Sequence, residues 1–185
     1  MARTPSNMLP LGTKAPSFNL LDTKSDTYKT LDILKGGEGT LVAFICNHCP
    51  FVIHINDTLV AIANDYQARG INFIAISSND VENYPEDGPD KMKLQAQNTG
   101  YPFPYLYDKT QETAKAYDAA CTPDFYLFDR NLELIYRGQM DASRPGNGLD
   151  VSATDLKYAM DCLLTHTPNK MPQKPSIGCN IKWKT

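Results

Sequence analysis

Two short apolar runs and one helical stripe stand out along the chain. Thr40-Leu-Val-Ala-Phe-Ile45 follows a glycine cluster at Gly36, Gly37 and Gly39, and Ile71-Asn-Phe-Ile-Ala-Ile-Ser77 forms the second run. Runs of this length bounded by glycine suit strands buried on both faces. Between them, Val52, Ile55, Leu59, Ile62 and Tyr66 recur at helical spacing, and Gly70 offers a left-handed stop. Strand, helix and strand with short joins predict a βαβ unit, with parallel strands and a right-handed crossover.

The flanking segments complete the pattern. Ala15–Leu21 and Tyr28–Leu31, around a polar turn at Lys24–Asp26, predict a hairpin or a pair of edge strands. Pro89 and Gly100 bracket a helix, and a short strand follows at Tyr105-Leu106. Asp108, with Gln111 three residues on, predicts a capped helix through Tyr117. Phe125–Phe128 and Leu132–Arg137, joined at Asp129–Asn131, predict an antiparallel hairpin. Ser152 and Asp155 open a last helix with Leu156, Ala159, Met160 and Leu163 on one face. The sum is an α/β fold, a central mixed sheet flanked by helices with an N-terminal β extension. No repeat or linker interrupts the 185 residues, so one domain is expected, with a core of about 12–165 and a tail, 166–185, packed on it. In that tail Ile177, Cys179, Ile181 and Trp183 share one side of an extended strand, while Lys182 and Lys184 face water.

Composition narrows the function. Apolar residues are 42 % of the chain and charged residues 21 %, enough for a packed core. Eighteen Lys and Arg against 21 Asp and Glu argue against nucleic acid or an anionic membrane as partner. No run reaches the ~18–20 apolar residues of a membrane span, and the first ten residues lack the apolar stretch of a secretory signal, which points to the cytoplasm. Five cysteines in a chain of this length point to thiol or metal chemistry, not to a disulfide-stapled scaffold.

Cys46-Asn47-His48-Cys49-Pro50 lies where the first buried strand gives way to the helix. Two thiols at this spacing can close a disulfide, and a helix N-terminus favours thiolate over thiol. His48 can add positive charge or a hydrogen bond beside Cys46, and stabilising the reduced form makes a disulfide more oxidising. The alternative reading is half of a zinc site, which needs a second Cys/His pair; no second Cys-x-x-Cys exists.

These residues, with Ala15-Pro16-Ser17-Phe18 and Cys121-Thr122-Pro123 before Asp124-Phe125-Tyr126-Leu127, resemble the thioredoxin superfamily. In particular they resemble the branch of the thiol-specific antioxidant (AhpC/TSA) proteins and TlpA-like oxidoreductases. The resemblance implies a thiol-disulfide oxidoreductase with Cys46 as nucleophile and Cys49 as resolving cysteine, acting on a disulfide-containing protein or small thiol. It also implies that Pro123 is a cis-proline facing the dithiol, where it presents backbone to a substrate and keeps metals from the sulfurs. No cofactor and no metal is implied, and the residues leave the oligomeric state, monomer or homodimer, open.

The departures from the family matter too. The buried acid that serves as proton relay in thioredoxins would fall near Thr40. Peroxiredoxins attack peroxide from the position of Cys49 and carry an arginine where Pro123 stands, which weakens a peroxidase reading without removing it. Delivery of copper or zinc by the thiols with His48 or His54 is a third reading. Cys121 and Cys179 are candidate accessory thiols, Cys162 a structural one, and His54 a polar-face helix residue. The loop Gln139–Gly148 is polar enough to rim a site.

Overall fold

The computed structural model describes residues 3–185. In chain order the elements are β1 Arg3–Pro5, β2 Asn19–Asp22, β3 Thr27–Thr30, the one-turn α1 Leu31–Leu34, β4 Gly39–Phe44, α2 Pro50–Ala68 and β5 Ile71–Ser77. There follow a 3-10 turn at Pro85–Asp87, α3 Pro89–Thr99, β6 Tyr105–Tyr107, α4 Glu112–Ala116, β7 Cys121–Thr122, β8 Asp124–Asp129, β9 Leu134–Gly138, α5 Thr154–Leu164 and β10 Ile177–Asn180. The main sheet runs β3-β2-β6-β5-β4-β8-β9, and a second, three-stranded sheet runs β1-β10-β7. β4 and β5 are parallel, as the βαβ reading requires, whereas β8 lies antiparallel on the other edge of β4.

The apolar runs are continuous because the central strands are covered twice. On β4, Leu41 and Ala43 point into the core beneath α2 and α5, with Ile45 just beyond the strand; Val42 and Phe44 point into a second cluster with Tyr117, Tyr126 and Ile181. The same alternation separates Phe73 from Ile74 on β5 and Phe125 from Tyr126 on β8. No helix among the described residues is long and apolar enough to cross a membrane.

The strands expected at Ala15–Leu21 and Tyr28–Leu31 run over Asn19–Asp22 and Thr27–Thr30, with Leu31 opening α1, and three further boundaries differ, each for a local reason. The helix expected from Asp108 begins at Glu112, because Gln111 sits left-handed at φ 65. Asp108 still accepts a hydrogen bond from Ala114 N at 2.9 Å, so its carboxylate acts on this helix from farther away. At α5, Ala153 is left-handed, and Asp141 Oδ2 accepts from Ser152 N and Ala153 N at 2.7 and 2.6 Å. The carboxylate that organises this start comes from the preceding loop and takes the place of the expected Ser152 cap. β9 starts at Leu134, since Asp129 Oδ1 gathers the N–H groups of Asn131 and Glu133 at 2.9 Å into a longer turn with Leu132 left-handed.

The tail does not keep its expected single face. Cys179 and Ile181 are buried, but Ile177 and Trp183 are 36 % and 39 % exposed. Regular pairing ends at Asn180, so Ile181 turns into the second core cluster while Cys179 belongs to the first. Beyond it, Lys182 N donates to Asn79 Oδ1 at 2.8 Å and Lys184 N to Gln111 Oε1 at 2.9 Å, fastening the tail to two loops. Lys182 is therefore only half-exposed, with its ammonium 5.7 Å from the Tyr84 ring centre. Trp183 finds its partner in Lys115, 5.9 Å from the ring centre.

Candidate functional site

The end of β4 delivers Cys46 to a loop, and Cys49 is the residue that flanks the first turn of α2. Its carbonyl accepts from Val52 N and Ile53 N at 3.0 Å, while Pro50 occupies the first helical position, where a missing N–H costs nothing. Across from them, the Thr122-Pro123 bond is cis. Thr122 meets both sulfurs: Cys46 Sγ lies 3.5 Å from its hydroxyl, and Cys49 Sγ 3.2 Å from its carbonyl oxygen. β10 runs beside β7 with Cys179 opposite Thr122, and Cys179 Sγ is 2.9 Å from Cys49 Sγ. Thr122 is thus the backbone position around which three thiols gather.

The electrostatics place the negative charge differently from the sequence reading. Cys49, not Cys46, is pulled below the ordinary thiol range, to about 5, chiefly by a hydrogen bond from Cys46; burial opposes this, and Cys179 and Thr122 assist. Cys46 is pushed up by the same bond, by burial and by the negative charge of Asp87. Of the two sulfurs, Cys49 is the one on which negative charge is favoured. The 3.2 Å approach of Cys49 to the Thr122 carbonyl is a bond only the thiol form can donate; ionisation exchanges it for those that Cys46, Cys179 and the Thr122 hydroxyl donate.

His48 stands beside Cys46 in a frame that the sequence did not announce. Its Nδ1 donates to Asp87 Oδ2 at 2.7 Å, and its ring stacks on Tyr84 with centres 5.8 Å apart. Asp87 is fully buried and also accepts from Asn47 N and Asn79 Nδ2, each at 2.8 Å. Tyr105 Oη donates to Asn47 Oδ1 at 3.0 Å, so the residues between the cysteines are held from both sides. Nothing in Tyr84-Pro-Glu-Asp-Gly-Pro89 distinguishes Asp87 from its neighbour Glu86; only the fold, which buries one and exposes the other, does. One ligand atom each from Cys46, His48 and Asp87 lies within 4.8 Å of the others, the group among the described residues that could hold a cation.

The remaining candidates separate. Cys121 is buried on β7 with its thiol pushed up, first by burial and then by Asp124. Cys162 is buried on α5. His54 is not the polar-face residue expected: its Nε2 is buried and unpartnered, in a small cleft with Pro123, Ser143, Arg144 and Ser176. The loop Gln139–Gly148 does rim that cleft, through Ser143, Arg144 and Pro145. Thr40 uses its hydroxyl to accept from Gly36 N at 3.1 Å, a structural task in place of a relay acid.

Sheet order and helix placement match thioredoxin-like structures, among them the thioredoxin domain of a thiol-disulfide oxidoreductase from Bacteroides vulgatus: 17 % identity, TM-score 0.59, with 70 % of this chain and 89 % of that one covered. The AhpC/TSA family profile matches residues 11–137, and the chain belongs to that family. It is also similar over nearly its whole length to two solved proteins. An uncharacterized conserved protein from Geobacillus kaustophilus shares 55 % identity at TM-score 0.98, covering 100 % of this chain and 97 % of that one. A hypothetical protein from Sinorhizobium meliloti 1021 shares 47 % at TM-score 0.96, covering 98 % and 99 %. A search of the curated proteins gave no match.

Proposed function

We propose that the protein is a thiol-disulfide oxidoreductase in which Cys46 and Cys49 exchange a disulfide with a protein or small-thiol partner. The observation that carries this reading is the convergence of both sulfurs on Thr122, at 3.5 and 3.2 Å. Cys46 and Cys49 are both buried, and Cys46 adjoins the half-exposed Asn47 and His48, the side from which this reading brings a partner to it. In the first step Cys46 gives up its proton to Cys49, and the Cys46 thiolate attacks the partner's disulfide. One partner sulfur leaves as a thiolate that takes a proton from solvent, and a mixed disulfide remains on Cys46. Cys49 then gives up the proton and attacks Cys46 Sγ, closing the Cys46–Cys49 bridge and releasing the second partner thiol. His48, oriented by Asp87, tunes the charge near Cys46, and Pro123 offers backbone to the partner's chain.

A second reading draws on the acidity of Cys49. A thiolate at about 5 is ionised at neutral pH and can attack a hydroperoxide directly, the position from which peroxiredoxins act. Reduction of insulin disulfides, driven by an added dithiol, separates the two. Dithiol exchange predicts that Cys46→Ser abolishes turnover. Peroxide consumption that needs Cys49 and survives Cys46→Ser contradicts it in favour of the peroxidase.

A further inference from the structure

The dithiol mechanism uses two sulfurs, yet a third lies against them. Cys179 and Cys49 are 130 residues apart, both are buried, and their sulfurs are 2.9 Å apart. The covalent S–S length is about 2.05 Å, so roughly 1 Å of side-chain movement would join them. Nor is the approach a loose encounter of a free tail. β10 is hydrogen-bonded on one edge to β1 and on the other to β7, with Cys179 in register with Arg3 and with Thr122. Gly178 is needed for this: a Cβ there would come within 1.9 Å of the Thr122 carbonyl oxygen, so only glycine lets the strand lie this close to the thiols.

We infer that Cys179 is a third redox cysteine, which takes the disulfide over from the Cys46–Cys49 pair by attacking Cys49 Sγ. This rests on the dithiol reading above. In the step, the Cys179 thiol loses its proton, the S–S bond between Cys46 and Cys49 breaks, and the bond between Cys49 and Cys179 forms. Cys46 leaves as thiolate and takes up a proton; no electrons are gained or lost overall. The outcome is a stored disulfide that ties β10 to the start of α2 and returns Cys46 as a thiol ready for a second partner. The timing is built in as well. In the reduced protein the Cys179 thiol is pushed up to about 12 by burial and by Cys49, through both a hydrogen bond and its charge. Once Cys49 is in a disulfide, its charge is gone, while the favourable influence of Lys182 persists.

The test is disulfide mapping of the full chain. Wild type, Cys46→Ser and Cys179→Ser are oxidised with oxidised glutathione, quenched in acid, alkylated and digested for mass spectrometry. The expected result is both Cys46–Cys49 and Cys49–Cys179 bridges in wild type, Cys49–Cys179 alone in Cys46→Ser, and Cys46–Cys49 alone in Cys179→Ser. In Cys46→Ser, glutathione first joins Cys49 and is displaced by Cys179. A Cys46–Cys49 bridge in wild type with no Cys49–Cys179 bridge in either wild type or Cys46→Ser overturns this inference and leaves the dithiol reading intact. No intramolecular bridge in any of the three overturns both.

Discussion

His48 Nδ1 and Asp87 Oδ2 are 2.7 Å apart, and this bond fixes the imidazole beside Cys46 while keeping a buried carboxylate in the same corner. The carboxylate has an electrostatic consequence, since its charge is one of the causes that push the Cys46 thiol up. Asp87→Asn keeps the shape and removes the charge. Cys46 then ionises more readily, the reduced pair is favoured, and the disulfide becomes more oxidising by on the order of 10–30 mV. Equilibration against glutathione redox buffers reads the shift; a less oxidising disulfide contradicts the role given to Asp87.

The titration of the reduced protein should show one acidic thiolate. Ultraviolet thiolate absorbance is expected to rise with a midpoint of about 5, from Cys49, with no second early step from Cys46. Cys46→Ala removes the strongest stabiliser of that charge, so the midpoint moves up toward the ordinary thiol value. A midpoint unchanged in Cys46→Ala would show that Cys46 does not stabilise that charge.

Beneath the Thr122-Pro123 segment, Asp124 and Arg137 form a pair that is entirely buried, with Arg137 Nη2 3.2 Å from Asp124 Oδ2 and its guanidinium 4.3 Å from the centre of the Tyr126 ring. Removing one partner leaves the other charge uncompensated, so Arg137→Met should cost about 3–5 kcal/mol in denaturant unfolding. Burial raises Asp124 from 3.8 to about 6 despite Arg137. A carboxyl raised in the folded state contributes stability fully below its unfolded value and loses it as pH climbs through the folded one. Between pH 4 and 6, Asp124 therefore stabilises the fold increasingly as pH falls, and Asp124→Asn should remove that slope.

Gly178→Ala probes the seat of the tail. The added methyl collides with backbone at Thr122, so β10 must move away from β7 and carry Cys179 from Cys49. Alkylation of Cys179 by iodoacetamide in the reduced protein should accelerate by about tenfold or more, equivalent to a ~1.4 kcal/mol change in the protection of that thiol. The Cys49 titration should also move up, because Cys179 is one of the donors holding it down.

The sheet was legible because its information is local. Leu41 to Ile45, Ile71 to Ile76 and Phe125 to Phe128 show by continuity that both strand faces are covered. The spacing of Cys46 and Cys49, followed far downstream by Thr122-Pro123, pointed to segments that the fold brings together. What the sequence concealed depends on distant pieces meeting. Asp87 looks like any acid in a proline-rich loop until folding buries it against Asn47, His48 and Asn79. The alternation of the tail suggested one buried side, but β10 pairs on both edges and ends at Asn180, and Cys179 and Ile181 enter different core clusters. The charge favoured on Cys49 in place of Cys46 follows from the groups that fold around each sulfur. Cys46, Cys179 and Thr122 lower Cys49, while the hydrogen bond to Cys49, burial and Asp87 raise Cys46, and these cannot be read from four letters.

Trapping the covalent intermediate tests the dithiol account most directly. Cys49→Ser protein, mixed with a disulfide-linked peptide and quenched in acid, is digested and searched by mass spectrometry. The account predicts a peptide adduct on Cys46, lost when Cys46→Ser is added to the same variant. Adducts confined to another cysteine, with Cys46 recovered unmodified, would contradict it.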